Sequence, residues 1–86
     1  MTYTVIVPKP FKKQLYSLPE AVQERILKKV ARLSETPRLP GAMKLKGYEN
    51  EYRIRIGDYR VRYEIDDRDL TVLLLHCKHR KDVYKA

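Results

Sequence analysis

The segment Tyr52-Arg-Ile-Arg-Ile-Gly-Asp-Tyr-Arg-Val-Arg-Tyr63 sets an apolar residue at every second position on either side of Gly57-Asp58, with arginines between them. A period of two belongs to a half-buried β-strand, and Gly57-Asp58 is a two-residue hairpin signal. The segment therefore reads as two antiparallel strands joined by a tight turn. The short loop sets the register: Ile56 opposes Tyr59, Arg55 opposes Arg60, Ile54 opposes Val61, Arg53 opposes Arg62 and Tyr52 opposes Tyr63. All four guanidinium groups then leave one face, and the apolar side chains leave the other. Like charges directly opposed have Cβ atoms about 5 Å apart and repel by about 1 to 3 kcal/mol per pair, for an effective dielectric of about 80 to 20. A sheet shaped for stability alone alternates its signs; this one is arranged to meet a polyanion.

The whole chain carries the same bias. Its 86 residues make one domain, 1–86, with 19 Lys and Arg against 11 Asp and Glu, and a net charge of +8. The acids cluster in the helical region (Glu20, Glu24, Glu35) and in the turn Asp66-Asp67-Arg68-Asp69, away from the arginine strands. Nucleic acid, an acidic protein and anionic lipid all fit a basic domain. A membrane-surface helix would need Trp or Phe on its apolar face, and the chain has no Trp and a single Phe, Phe11. No apolar run approaches the roughly 18 to 20 residues of a membrane helix, and the first residues lack the basic lead-in and cleavage site of a signal peptide. The lone Cys77 permits no internal disulfide, fits a reducing cytoplasm and reads as a small buried hydrophobe.

Around the hairpin the other elements follow from periodicity. Thr2 to Val7 is β-branched and loosely alternating, a first strand closed by Pro8-Lys9-Pro10. Phe11, Leu15 and Leu18 share one face of a short helix. Ser17-Leu18-Pro19-Glu20 reads as a capping-box restart into a longer helix, with Val22, Ile26, Val30 and Leu33 as its apolar stripe and Glu24, Arg25, Lys28, Lys29 and Arg32 on the other side. Residues 37–50 form a loop holding a short extended piece at Met43-Lys44-Leu45-Lys46. After the hairpin, Leu70 to His76 is apolar on both faces and reads as a central strand, followed by a short basic tail. The expected fold is α+β, in the order β-α-α-β-β-β: a helical hairpin packed on one face of a small, mostly antiparallel four-stranded sheet, with the arginine face open.

Metal and cofactor chemistry find no support, because His76, His79 and Cys77 have no second ligand cluster and no phosphate-cradling glycine loop occurs. His76, at the end of an apolar strand, reads as structural. What remains is a set of cations and aromatics: Lys44, Lys46, Arg53, Arg55, Arg60, Arg62, Lys78, His79, Arg80, Lys81 and Tyr84. Arginine forks hold phosphates, and tyrosine and guanidinium planes stack on unpaired bases, so the set suits RNA. It could also cleave RNA through the adjacent 2′-hydroxyl without a metal, given in-line positioning, charge stabilisation and proton transfer. Arginine, with a pKa above about 12, cannot be the base. Proton transfer falls to His79, to a lysine of lowered pKa, or to Tyr84.

Lys44-Leu-Lys-Gly47, Tyr52-Arg-Ile-Arg-Ile56, Gly57-Asp-Tyr-Arg-Val-Arg-Tyr63, an apolar strand and His79-Arg-Lys-Asp-Val-Tyr84, in that order, resemble the RelE/ParE superfamily of bacterial and archaeal toxins. The resemblance spans nearly the whole chain and is strongest over residues 44–84. It implies the RelE-like fold and one of two activities: ribosome-dependent cleavage of mRNA by 2′-hydroxyl attack, as in RelE-type members, or poisoning of DNA gyrase, as in ParE-type members. The basic middle strands and the ending His-Arg-Lys-Asp-Val-Tyr favour the first, a metal-independent endoribonuclease. A ParE-type gyrase inhibitor is the alternative, and a catalytically inactive RNA-binding or antitoxin-binding domain is the third reading. Where RelE-type toxins often carry strand lysines, Arg53 and Arg55 stand here, which moves the base elsewhere. The resemblance implies that Arg53, Arg55 and Arg60 grip the scissile phosphate, that Arg80 stabilises the transition state, and that Lys78 or His79 handles a proton. Tyr84 would stack on a base or help activate the 2′-hydroxyl, while Lys44, Lys46, Arg62 and Lys81 bind RNA. The implied partners are the ribosome, mRNA and a RelB-like antitoxin whose acidic C-terminal segment joins the toxin in a hetero-oligomer in the cytoplasm.

Overall fold

The computed structural model describes residues 2–83. Its elements run β1 (Thr4–Ile6), α1 (Lys9–Tyr16), α2 (Glu20–Leu33), β2 (Met43–Lys44), β3 (Glu51–Ile56), β4 (Tyr59–Asp66), β5 (Thr71–His79) and α3 (Arg80–Val83). The hairpin of β3 and β4 forms in the expected register, from Tyr52 opposite Tyr63 to Ile56 opposite Tyr59. Gly57 has φ 61° while Asp58 is not among the residues of positive φ, which is the II′ combination that matches strand twist. The sheet order is β1-β5-β4-β3-β2, with β1 and β5 parallel and the other pairs antiparallel.

The sheet has five strands, not the expected four. Met43 and Lys44 pair with Arg53 and Tyr52 on the edge of β3. Two residues carry no period to read, and the strand exists only because β3 offers it a partner. The last strand also outruns its apolar stretch, continuing through Cys77 and Lys78 to His79. A bulge makes this possible: Tyr63 pairs with Leu74 and Arg62 with His76, so Leu75 has no opposite residue.

Ser17 does not cap α2. Its hydroxyl donates back to the Gln14 carbonyl at 2.6 Å, and α2 starts behind Pro19, whose carbonyl accepts from Val22 and Gln23. Pro19 holds an extended φ/ψ of −55° and 145°, which turns the chain without help from a serine.

The helices supply Phe11, Leu15, Ile26, Val30 and Leu33 to the core; the sheet supplies Ile54, Ile56, Val61, Tyr63, Ile65, Val72, Leu74 and Cys77. Leu39 closes it from the loop after α2. Each such fully buried side chain contributes about 1.5 to 3 kcal/mol relative to exposure. Tyr63 is the largest of them, fully buried, with its ring 6.0 Å from that of Tyr52 and its hydroxyl donating to the Pro37 carbonyl at 2.8 Å. Burial pushes its phenol up to about 12, so it stays a donor. A second tie is polar: Arg38 bonds both oxygens of Asp67, Tyr3 donates to Asp67 Oδ1 at 2.6 Å, and Arg38 reaches Tyr52. This latch joins the first strand, the loop after α2, β3 and the β4–β5 turn.

Two stability outcomes follow from these contacts. Tyr63→Phe leaves the buried Pro37 carbonyl without its donor and should cost about 1 to 3 kcal/mol in urea unfolding, whereas Phe11→Ala should cost about 3 to 5 kcal/mol through cavity formation. The Arg38 guanidinium, then Tyr3, hold the Asp67 carboxyl below its ordinary value. A depressed carboxyl stabilises the fold above the unfolded pKa of about 3.9 and loses that contribution as pH falls through the folded value. Asp67→Asn should therefore flatten the acid arm of the stability curve below about pH 4 and leave a smaller gap between the two proteins at low pH than at pH 7.

Candidate functional site

The helices cover one face of the sheet. On the other, cross-strand pairing builds a grid of two rows: Lys78, Arg60 and Arg55 in one, His76, Arg62 and Arg53 in the next. Strand geometry sets neighbours about 4.8 Å apart across the sheet and about 7 Å apart along a strand. Five cations and one imidazole thus share an area the size of a dinucleotide step.

The grid is not uniform. At its inner end Glu51 pairs with Arg62, whose guanidinium also lies 5.0 Å from the centre of the Tyr48 ring, and Glu51 faces Glu64 across the hairpin. Acids therefore do lie within the arginine strands, and Arg62, expected among the RNA ligands, is already held by a carboxylate. Arg53 Nη2 makes a weak contact with Met43 Sδ at 3.4 Å. Arg55 is exposed, while Arg53 and Arg60 are half-buried. At the hairpin tip sits Arg80: its backbone N–H donates to the Asp58 carbonyl at 2.7 Å and its Nε lies 4.0 Å from the Asp58 carboxylate, so this end holds an acid as well.

His76, read from the sequence as structural, lies on the arginine face, a placement the sequence pattern did not indicate. Strict alternation from Val72 and Leu74 would turn it into the core; the bulge at Leu75 reverses the parity and delivers it to the arginine face, beside Arg62. The usable signal was its i, i+2 spacing from Lys78. Burial, then the charges of Lys78 and Arg62, push its pKa below the ordinary histidine value, with Glu51 acting in the opposite sense.

The remaining expected site residues divide. Lys78 joins Arg53, Arg55 and Arg60. His79 does not: it pairs with Tyr59 on the helix side, with the rings edge to face at 5.1 Å, and lines a hollow with Gln14, Ser17 and Leu18. Its Nδ1 accepts the Lys81 N–H at 3.2 Å, so it serves the start of α3. Lys44 lies opposite Tyr52, hence also on the helix side, and Met43 takes the place beside Arg53. Lys46 is exposed in the loop between β2 and β3, and Lys81 is exposed on α3. Tyr84 lies outside the described residues. Burial raises the Cys77 thiol to about 11, which keeps it protonated and inert.

A second cationic feature adjoins the grid. Because the segment around β2 bonds β3 only at Glu51 to Arg53, the edge beyond, toward the hairpin tip, has no neighbouring strand, and there a groove of ≈ 430 Å³ is lined by Arg25, Lys28, Lys29 and Arg32 of α2 with Arg55 and Gly57. No acid lines it. Gly57 is required by the turn, where its φ of 61° is one that other residues rarely adopt, and the Arg25 guanidinium of α2 lies beside it. Arg55 belongs to grid and groove alike and links them into one track. Among the described residues no group of three His, Cys, Asp or Glu could hold a metal, and no helix is long and apolar enough to cross a membrane.

Chemically, the arrangement offers forked donors of the kind that hold phosphates, bounded by acids at its inner end and tip, with one imidazole among the cations. Comparison with known proteins agrees in sequence and in shape. The family model described as ParE toxin of the type II toxin–antitoxin system, parDE, matches residues 5–84. Toxin RelE3 of Methanocaldococcus jannaschii is 32% identical over 93% of each chain, and toxin RelG of Mycobacterium tuberculosis is 30% identical over 99% of each. Among solved structures, the toxin of the archaeal RelE–RelB complex from Pyrococcus horikoshii superposes with a TM-score of 0.83 and 36% identity, over 93% of this chain and 97% of that one. Matched by the toxin family model over nearly its whole length and at least 30% identical to two toxins across more than nine-tenths of each chain, the chain belongs to the RelE/ParE family of type II toxin–antitoxin toxins.

Proposed function

We propose that this toxin is a ribosome-dependent endoribonuclease that cuts mRNA by attack of a 2′-hydroxyl on the adjacent phosphate. The observation that carries the reading is the row Lys78, Arg60, Arg55, backed by Arg53, on the face that no helix covers. Charge developing on a phosphorane is stabilised by donors already in place, and forked guanidinium groups supply them without a metal. Arg60, central in the row, is the principal clamp; Arg53 and Arg55 hold the flanking oxygens. Arg80, beside the hairpin tip, adds charge where the leaving strand departs, and Lys78 donates a proton there. Arg62, being paired with Glu51, positions rather than grips. Tyr84 is assigned to base stacking by resemblance alone. The groove on α2 extends the track for a longer polyanion, in keeping with a site that is completed by ribosomal positioning.

A RelB-like antitoxin is the inferred protein partner, since structural neighbours include toxin–antitoxin complexes. An acidic segment laid over the grid would match its charge and occlude the phosphate site. The gyrase-directed alternative draws on the matching family model and is separated by the same experiment.

Purified toxin added to ribosomes programmed with a defined mRNA should generate codon-phased 5′ ends mapped by primer extension. Arg60→Ala should lower the cleavage rate by about 10² to 10³ with little change in ribosome affinity, and Arg60→Lys should recover part of it. Intact mRNA accompanied by gyrase-dependent DNA breaks would replace this reading with the alternative. Binding of a non-cleavable single-stranded RNA should weaken with salt, and Arg55→Glu should reduce the slope of log K against log salt by about 0.7 or more.

A further inference from the structure

We propose that His76 is the general base that takes the proton of the attacking 2′-hydroxyl, an assignment that rests on the nuclease reading above. Three observations converge on it. Its place in the grid is next to Arg62 across the strands, one alternate position from Lys78, and diagonal to Arg60. His76 thus stands about 7 Å from Lys78 along the strand and about 7 to 8 Å from Arg60 on the diagonal, close enough for long side chains at those positions to hold a phosphate beside it. The ring is also uncommitted: Nδ1 is buried without a hydrogen-bond partner, whereas His79 has its Nδ1 occupied by the Lys81 N–H. The residue as a whole is only half-buried, and with its Nδ1 held by no protein donor or acceptor the ring's orientation and tautomer are free to suit a ligand. Finally, the arginines cannot accept a proton, and among the described residues on this face His76 is the one whose ordinary pKa lies near neutrality.

The surrounding charges set its protonation. Arg60, Arg62 and Glu64 face it from β4, Arg53 and Glu51 from β3, Lys78 from its own strand, and Tyr48 lies over Arg62 from the β2–β3 loop. Cations outnumber acids there, and Glu51 is engaged with Arg62. In the free toxin this balance keeps the imidazole neutral and able to accept. A bound phosphate brings negative charge beside it and raises its proton affinity at the moment a base is needed.

In the step itself the imidazole lone pair takes the 2′-hydroxyl proton and the 2′-oxygen bonds to phosphorus. The bond from phosphorus to the 5′-oxygen breaks, and the Lys78 ammonium protonates the leaving oxygen. The products are a 2′,3′-cyclic phosphate and a 5′-hydroxyl. Imidazolium and amine then exchange the proton through solvent, with no oxidant, metal or cofactor entering the balance.

The test is single-turnover cleavage of mRNA on programmed ribosomes as a function of pH. His76→Gln should slow cleavage by about 10² to 10⁴ with the ribosome dissociation constant nearly unchanged, and should abolish the acid limb of the wild-type profile. In the wild type that limb should fall at a lower pH for kcat/KM, which reports the free toxin, than for kcat, which reports the RNA complex. His76→Gln cleaving at the wild-type rate with the acid limb intact would overturn the assignment and leave the nuclease reading standing. A wild-type toxin that cuts nothing would overturn both. Should the glutamine variant fail to fold by circular dichroism, NMR titration of His76 in the wild type decides. Its pKa should lie below about 6.5 in the free protein and rise when a 2′-O-methyl RNA binds; an unmoved value overturns the proposal.

Discussion

The two-residue turn at Gly57-Asp58 is the constraint from which the site follows. With Gly57 at positive φ the turn admits one register, and a period of two then distributes every side chain of β3 and β4 between faces. Ile54, Ile56, Val61 and Tyr63 enter the core while Arg53, Arg55, Arg60 and Arg62 leave it together. A slip by one residue would bury four guanidinium groups and expose the apolar row, at a cost far beyond the marginal stability of a domain this small. The repulsion between opposed arginines is thus held by the core on the far side of the sheet.

The parts of the fold legible in the sequence are those with a local period. The hairpin register, the apolar stripes of both helices and the apolar last strand are all of this kind, and the structure agrees with them closely. What the sequence hid is nonlocal. Met43 and Lys44 become a strand because β3 has an open edge, and Ser17 is displaced as a cap because Pro19 already turns the chain. The bulge at Leu75 is the costliest omission: a single unpaired residue exchanges the faces of everything after it, sending His76 to the arginines and His79 to the helices. A histidine read as structural and one read as a proton carrier trade surroundings through that one residue.

Charge along the site follows a gradient rather than a plateau. Glu51 and Glu64 close its inner end, where Glu51 holds Arg62, and Asp58 faces Arg80 at the hairpin tip, so the charge least offset by acids lies at Arg55 and the groove on α2. Such an arrangement gives direction to a bound polyanion, since a phosphate chain gains most by crossing Arg55 into the groove. The acids at the inner end make it less attractive to phosphate, which leaves His76 at a boundary between the cationic row and the carboxylate end.

The opposed arginines also link stability to occupancy. Any polyanion seated on the grid relieves the repulsion that the hairpin register imposes, so it binds the folded toxin in preference to the unfolded chain and stabilises it by mass action. An RNA strand and an acidic peptide relieve the same charges, and two ligands that neutralise one set of groups exclude each other without any change of shape. Inhibition by an acidic segment then requires only that it offer carboxylates at the spacing of the phosphates. On the proposed reading, an acidic protein segment and the RNA compete for one set of cations, and the winner is decided by whatever each adds beyond charge.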